Sequence, residues 1–146
     1  MHTGWRRFAR YVGTACAFAV IALVGLFIWA MYINDPRQTI DLARWVAPQS
    51  AYDQAMMPGA RWATDELCVP EFPCIQAVTS DTLTMYRFED RWMAMAAAES
   101  FGEDGYLTGW IAVRYETGGL TAGEREDFEY GISCINTWVG EEGQDC

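Results

Sequence analysis

Four cysteines, Cys68, Cys74, Cys134 and Cys146, carry the most distinctive chemistry of this 146-residue chain. An even number of cysteines in a small exported domain predicts two disulfides, and four allow three connectivities. The local solution is Cys68–Cys74 with Cys134–Cys146. A rival pairing, such as Cys74–Cys134, would staple the middle of the chain to its last helix. Zinc sites use cysteines two to four residues apart, often with histidine. Here five residues separate the first pair and eleven the second, so no metal site is expected. There is no C-x-x-C redox pair either.

Other chemistries are missing. The sole histidine is His2, and all ten basic residues are arginine, as suits a GC-rich bacterial genome. Beyond residue 33 there is thus neither histidine nor lysine, which removes Ser-His-Asp and Cys-His nucleophiles, histidine-ligated metals and Schiff-base chemistry. No phosphate-binding glycine loop and no G-x-S-x-G is present, and Asn34 and Asn136 are not in glycosylation sequons. Carboxylates cluster at Glu89/Asp90, at Glu103/Asp104 and at Glu126/Asp127/Glu129. A pair of acids runs glycoside hydrolysis when it flanks a cleft. At loops and helix starts such clusters face water and favour the helix N-terminus. The Gly102–Gly105 turn lacks the alternating oxygen spacing of a calcium loop. The chain is read as a non-enzyme without cofactor.

Aromatic residues give one candidate surface. With Tyr106 to Glu116 taken as a single strand, Trp110 points away from Ile111 and Val113. Tyr106, Trp110, Arg114 and Tyr86 would then form an aromatic–arginine patch of the kind that anchors protein interfaces. Alternatively, they pack beneath residues 48–73 or a second layer.

What must position these groups begins in the membrane. Residues 11–33 carry no charge and are apolar on every side. A bilayer core of about 30 Å needs roughly 20 such residues in a helix. Arg6, Arg7 and Arg10 precede the run, and no acid comes before Asp35. The positive-inside rule places residues 1–10 in the cytoplasm and residues 34–146 outside. Trp5, Phe8, Tyr11, Trp29 and Tyr32 fall at the two interfaces, where aromatic side chains prefer to sit. The apolar core is too long for a cleaved signal, and Cys16 is misplaced for a lipoprotein, so the segment reads as an uncleaved signal anchor. Ala9, Gly13 and Ala17 recur at the spacing that lets two membrane helices approach closely.

The outer segment, 34–146, holds 7 arginines against 20 acids, within a whole-chain net charge of −10. That balance excludes a nucleic-acid partner. Asp35 and Pro36 suit a helix start, giving a juxtamembrane helix over 36–47 with Trp45 resting on the membrane or the domain, stopped by Pro48. Residues 48–73 hold four of the five prolines and read as a linker.

From residue 74 the pattern is strand (75–79), strand (82–88), helix (to about 101, with Trp92, Met95, Ala96 and Ala98 apolar), strand (106–116) and helix. The last helix opens on the capping box Thr121-Ala-Gly-Glu124, with Phe128, Ile132 and Ile135 on one face. The expected fold is α+β: an N-terminal transmembrane helix, then a small extracytoplasmic β-β-α-β-α sandwich with helices on one face of a three-stranded sheet. Its leading functional reading is a non-catalytic single-pass membrane protein binding another membrane or envelope protein, as accessory subunit or assembly factor. The rivals are a membrane-tethered ligand sensor, which an aromatic pocket with a converging arginine would favour, an inhibitor or immunity-type protein, and a carboxylate hydrolase.

Overall fold

The structure, a computed structural model, describes residues 18–29, 36–47, 50–135 and Cys146. Two compact units result, Met1–Asp35 and Pro36–Cys146. In the first, residues 18–28 are helical (α1), and every described side chain is exposed. Among the described residues no helix is long and apolar enough to cross a membrane. Residues 1–17 and 30–35 lie outside the described residues. So therefore do the flanking arginines, Trp5, Phe8, Tyr11 and Tyr32, the Ala9/Gly13/Ala17 stripe, Cys16, and both ends of the uncharged run. Pro48, Asn136 and Trp138 also lie outside.

The second unit is mixed α and β, built on a five-stranded antiparallel sheet of order β1-β2-β3-β5-β4. The strands are β1 (Arg61–Trp62), β2 (Gln76–Thr79), β3 (Leu83–Arg87), β4 (Gly105–Thr108) and β5 (Ile111–Tyr115). The helices are α2 (Ala43–Val46), α3 (Ala51–Met56), α4 (Thr64–Leu67), α5 (Arg91–Ser100) and α6 (Ala122–Ser133). A 3₁₀ turn, Pro36–Thr39, opens the unit.

The three-stranded expectation is corrected at two places. The 106–116 stretch is two strands, because Gly109 takes φ +55° and turns the chain back. Thr108 then pairs with Ile111 and Tyr106 with Val113. A left-handed glycine is what a two-residue hairpin turn needs. As a result β3 and β4 run parallel with β5 inserted between them, and α5 makes the crossover. The second correction is β1, which pairs with β2 from within the stretch read as a linker.

The helices cover both faces of the sheet, not one. Val78, Leu83, Met85, Ile111, Val113 and Tyr115 point to one face, where they meet Ile40, Leu42, Trp45, Met56, Phe128 and Ile132. Ala77, Tyr86, Phe88 and Ala112 point to the other, where they meet Ala94, Ala97 and Ala98 of α5. Side chains alternate at period two, so a strand buried at consecutive positions is covered on both faces. β3 shows this directly, being buried from Leu83 to Tyr86. Small side chains at Ala77 and Ala112 let the alanine face of α5 come close. Trp92 and Ala96 are left outside, contrary to the apolar stripe expected from sequence.

Residues 36–73 also belong to this core. The juxtamembrane helix is broken into the 3₁₀ turn and α2, with Ile40 and Leu42 buried between them. Trp45 is 3% exposed and packs in the domain core. Residues 50–73, irregular by periodicity, contain α3, β1 and α4. Elements of two to six residues are too short to display a repeat.

Candidate functional site

A concave convergence of side chains lies where α2, α3 and α6 meet. Two of these helices are started by local chemistry. Ser50 caps α3, its Oγ accepting from Asp53 N at 3.0 Å. The Thr121–Glu124 capping box starts α6, which turns Phe128 and Ile132 onto the sheet. Between these helices is a cavity of about 170 Å³ with an apolar wall of Trp45, Phe128, Ile132 and Ile135.

Two donors reach it, and the Asp53 carboxylate, which accepts from the Ser50 hydroxyl at 2.7 Å, also lines it. The Arg44 guanidinium stacks 5.0 Å from the Trp45 ring centre. Among the described residues it makes no ion pair. Tyr52 is 46% exposed. Partial burial, then the charges of Asp127 and Asp53, raise its phenol above the ordinary tyrosine value. The hydroxyl therefore stays protonated and can donate. Gly131 completes the opening. A Cβ there would meet only the Tyr52 hydroxyl, at 3.9 Å. Glycine inside a helix costs about 1 kcal/mol relative to alanine, and here it leaves the mouth of the cavity open.

Such a site can take an apolar group and, beside it, a hydrogen-bond acceptor. A second hollow, about 260 Å³, is lined by the consecutive residues Trp62 to Glu66 alone. It draws on one segment only and has no comparable convergence.

The structure does not gather the four residues of the sequence-derived patch. Tyr106 shares the α6 face with Val113, and its hydroxyl donates to Glu129 O at 3.4 Å. Trp110 sits in the β4–β5 turn. Tyr86 is buried on the α5 face, 5.0 Å from Phe72 and 5.6 Å from Phe101 by ring centres. Arg114, on that same face, pairs with Glu116 at 2.9 Å and lies 5.9 Å from the Phe101 ring. The hairpin turn shifted the register that the single-strand reading had assumed. Leu107 accordingly packs with the α5 face, not with Ile111 and Val113.

One residue of each acidic cluster has a structural partner. Asp90 caps α5, accepting from Trp92 N at 2.6 Å. Asp104 pairs with Arg125 at 3.0 Å, and Glu129 accepts from the Tyr115 hydroxyl. Among the described residues no group of three or more His, Cys, Asp or Glu could hold a metal ion.

The cysteines take the local pairing, Cys68–Cys74 and Cys134–Cys146, with Cα separations of 4.8 and 5.4 Å. The first bond closes a loop that presents Phe72 to Tyr86 and Phe88. The cleft residues Arg44, Trp45, Tyr52 and Gly131 escaped the sequence reading because they come from three short or separate helices. Phe128, Ile132 and Ile135 were visible as a helical face, but not what they face. The chain matches no known family, no curated protein and no solved structure.

Proposed function

We propose that this is a non-catalytic, single-pass membrane protein, its N-terminus cytoplasmic and its acidic domain extracytoplasmic. The domain binds another membrane or envelope protein as an accessory or assembly subunit. The observation that carries the reading is the Arg44–Trp45–Tyr52 cleft. Its size supports a protein partner. Pockets for drug-sized ligands and cofactors run to roughly 300–1,000 Å³, whereas about 170 Å³ suits a single inserted side chain. Tyrosine and arginine are among the residue types that dominate binding energy at protein interfaces, and here they are Tyr52 and Arg44, with the buried Trp45 as the wall behind them. The two donors would meet a main-chain carbonyl flanking the inserted group. The anchor rests on the uncharged run 11–33 and the arginines before it.

A membrane-tethered sensor of a small ligand is the second reading, favoured by the same aromatic cavity with its arginine. A photo-crosslinking residue at Tyr52 in the full chain, expressed in native membranes, separates the two. The expected result is one discrete protein adduct, reduced about tenfold by Arg44→Ala or Gly131→Leu, as loss of one anchoring contact implies. Adducts unaffected by either substitution would sink the protein-partner reading. A small-molecule adduct would establish the sensor.

A further inference from the structure

One end of the sheet differs from the other in kind. Arg87 Nη2 donates to Gln38 O at 2.7 Å, and the Cβ position of Gly109 lies 3.5 Å from Arg37 Cβ. The Pro36–Thr39 turn therefore sits against the end formed by the last residue of β3 and the β4–β5 turn. Ile75 N donates to Arg87 O at 2.8 Å, and Phe88 N to Trp110 O at 2.9 Å. These bonds bring the start of β2 and the approach to α5 to the same end. There α5 begins, with Trp92 66% exposed and Met93 beside it also exposed. Ile75 is exposed as well, and Trp110 is half-buried. The opposite end, Ser80 to Thr82 with Glu116 to Gly119, presents polar residues and glycine.

α5 buries Ala94, Ala97 and Ala98, so nothing in the domain core requires Trp92 and Met93 to be large and apolar. Chain order supplies the reason. Three Cα–Cα steps, at most about 11 Å, separate Pro36 from the last residue of the uncharged run. If that run crosses the bilayer, the Trp92 end of the sheet is the end held at the lipid surface.

We propose that Trp92, Met93 and Ile75 form a lipid-docking rim, inserted in the interfacial zone of the bilayer that the chain itself spans. Tryptophan prefers that zone, where its ring meets both hydrocarbon and headgroups. Glu89 and Asp90 are exposed next to the rim, so docking depends on apolar insertion and not on anionic lipid. The rim orients the α2–α3–α6 cleft with respect to the membrane plane. This inference rests on the membrane-anchor reading above.

The test uses the full chain reconstituted in phosphatidylcholine vesicles containing shallow brominated lipid, with tryptophan fluorescence as readout. Trp92→Phe is expected to remove a quenchable component, while Trp62→Phe, on the edge strand β1, leaves quenching unchanged. Replacing part of the phosphatidylcholine with phosphatidylglycerol is expected not to increase quenching of Trp92. A quenched signal identical in wild type and Trp92→Phe overturns the docking rim. Quenching that appears only with phosphatidylglycerol overturns it too, by assigning the contact to charge. Alkaline carbonate extraction of the same vesicles tests the anchor separately. A chain that stays in the membrane without Trp92 quenching refutes the rim alone, whereas release by carbonate refutes the anchor.

Discussion

Tyr115, on an inner strand of the sheet, donates its hydroxyl to Glu129 Oε1 of α6 across 3.1 Å. The Arg125 guanidinium lies 4.4 Å from the same ring, and Phe128 meets it edge-on. Arg125 in turn pairs with Asp104. A polar column thus fastens α6 to the sheet beside the apolar contact of Phe128 and Ile132.

That column sets an alkaline limit. Burial first, then the Glu129 carboxylate, pushes the Tyr115 phenol well above its ordinary value. Burial likewise raises Tyr86. A raised pKa in the folded state means that stability is complete below the unfolded tyrosine value, about 10. It declines as pH rises beyond that point, because only the unfolded chain releases the proton. Denaturant midpoints measured from neutral pH to above pH ~10 are expected to fall in the wild type and to fall less in Tyr115→Phe. At neutral pH that substitution costs about 1 kcal/mol, the net worth of one hydrogen bond.

Two glycine substitutions are expected to have opposite signs. A Cβ at Gly105 would overlap the Ala98 carbonyl, where α5 crosses β4. Gly105→Ala should destabilise by about 2–3 kcal/mol as α5 is pushed off the sheet. At Gly123, in the first turn of α6, a Cβ meets nothing within 4 Å. Gly123→Ala should stabilise by a few tenths of a kcal/mol up to about 1. Urea unfolding of both variants checks the pair.

Thr121→Ala removes the N-cap of α6 and should lower stability by about 1 kcal/mol. It also changes the acid limb. The Thr121 hydroxyl and then its backbone N–H hold the Glu124 carboxyl below its ordinary value. A depressed carboxyl stabilises the fold above the unfolded value, and the effect is lost as pH falls through the folded one. Melting curves from neutral to acid pH should therefore lose less stability in Thr121→Ala than in the wild type.

Reduction should weaken the domain in two separable steps. Chain-entropy arithmetic assigns roughly 2 kcal/mol to the shorter loop and about 3 kcal/mol to the longer one. Cys74 is buried beside Ala77 and Phe88, so its bond also holds Phe72 in place. Cys68→Ala/Cys74→Ala is expected to cost more than its loop length predicts, and Cys134→Ser/Cys146→Ser close to its loop value. Thermal midpoints with and without reductant distinguish them.

Legibility along the chain followed element length. β2, β3, α5 and α6 were readable because their runs are long enough to show strand formers or an apolar helical stretch, and α6 also carries the Thr121–Glu124 box. The aromatic patch was lost at one residue. Gly109 in a strand could be a gap or a turn, and choosing the gap placed Tyr106 and Arg114 on the same side when they lie on opposite faces. Of the cleft only the Phe128, Ile132 and Ile135 wall was legible, since Trp45, Tyr52 and Gly131 become neighbours only after three chain segments pack.

Composition and spacing alone determined the absence of histidine and lysine chemistry beyond residue 33, the uncharged run, the acidic balance, and the capping box that starts α6. Each is a property of residue types or of neighbours a few positions apart. Only the tertiary structure decided which faces of the sheet are covered, which cysteines pair, and that Arg44, Trp45 and Tyr52 converge. The sheet faces and the cleft depend on strand register and on contacts between distant segments, whereas both disulfides are local and were one of three pairings open to the sequence. The left-handed Gly109 sets the β4–β5 part of that register, and no local pattern reports it.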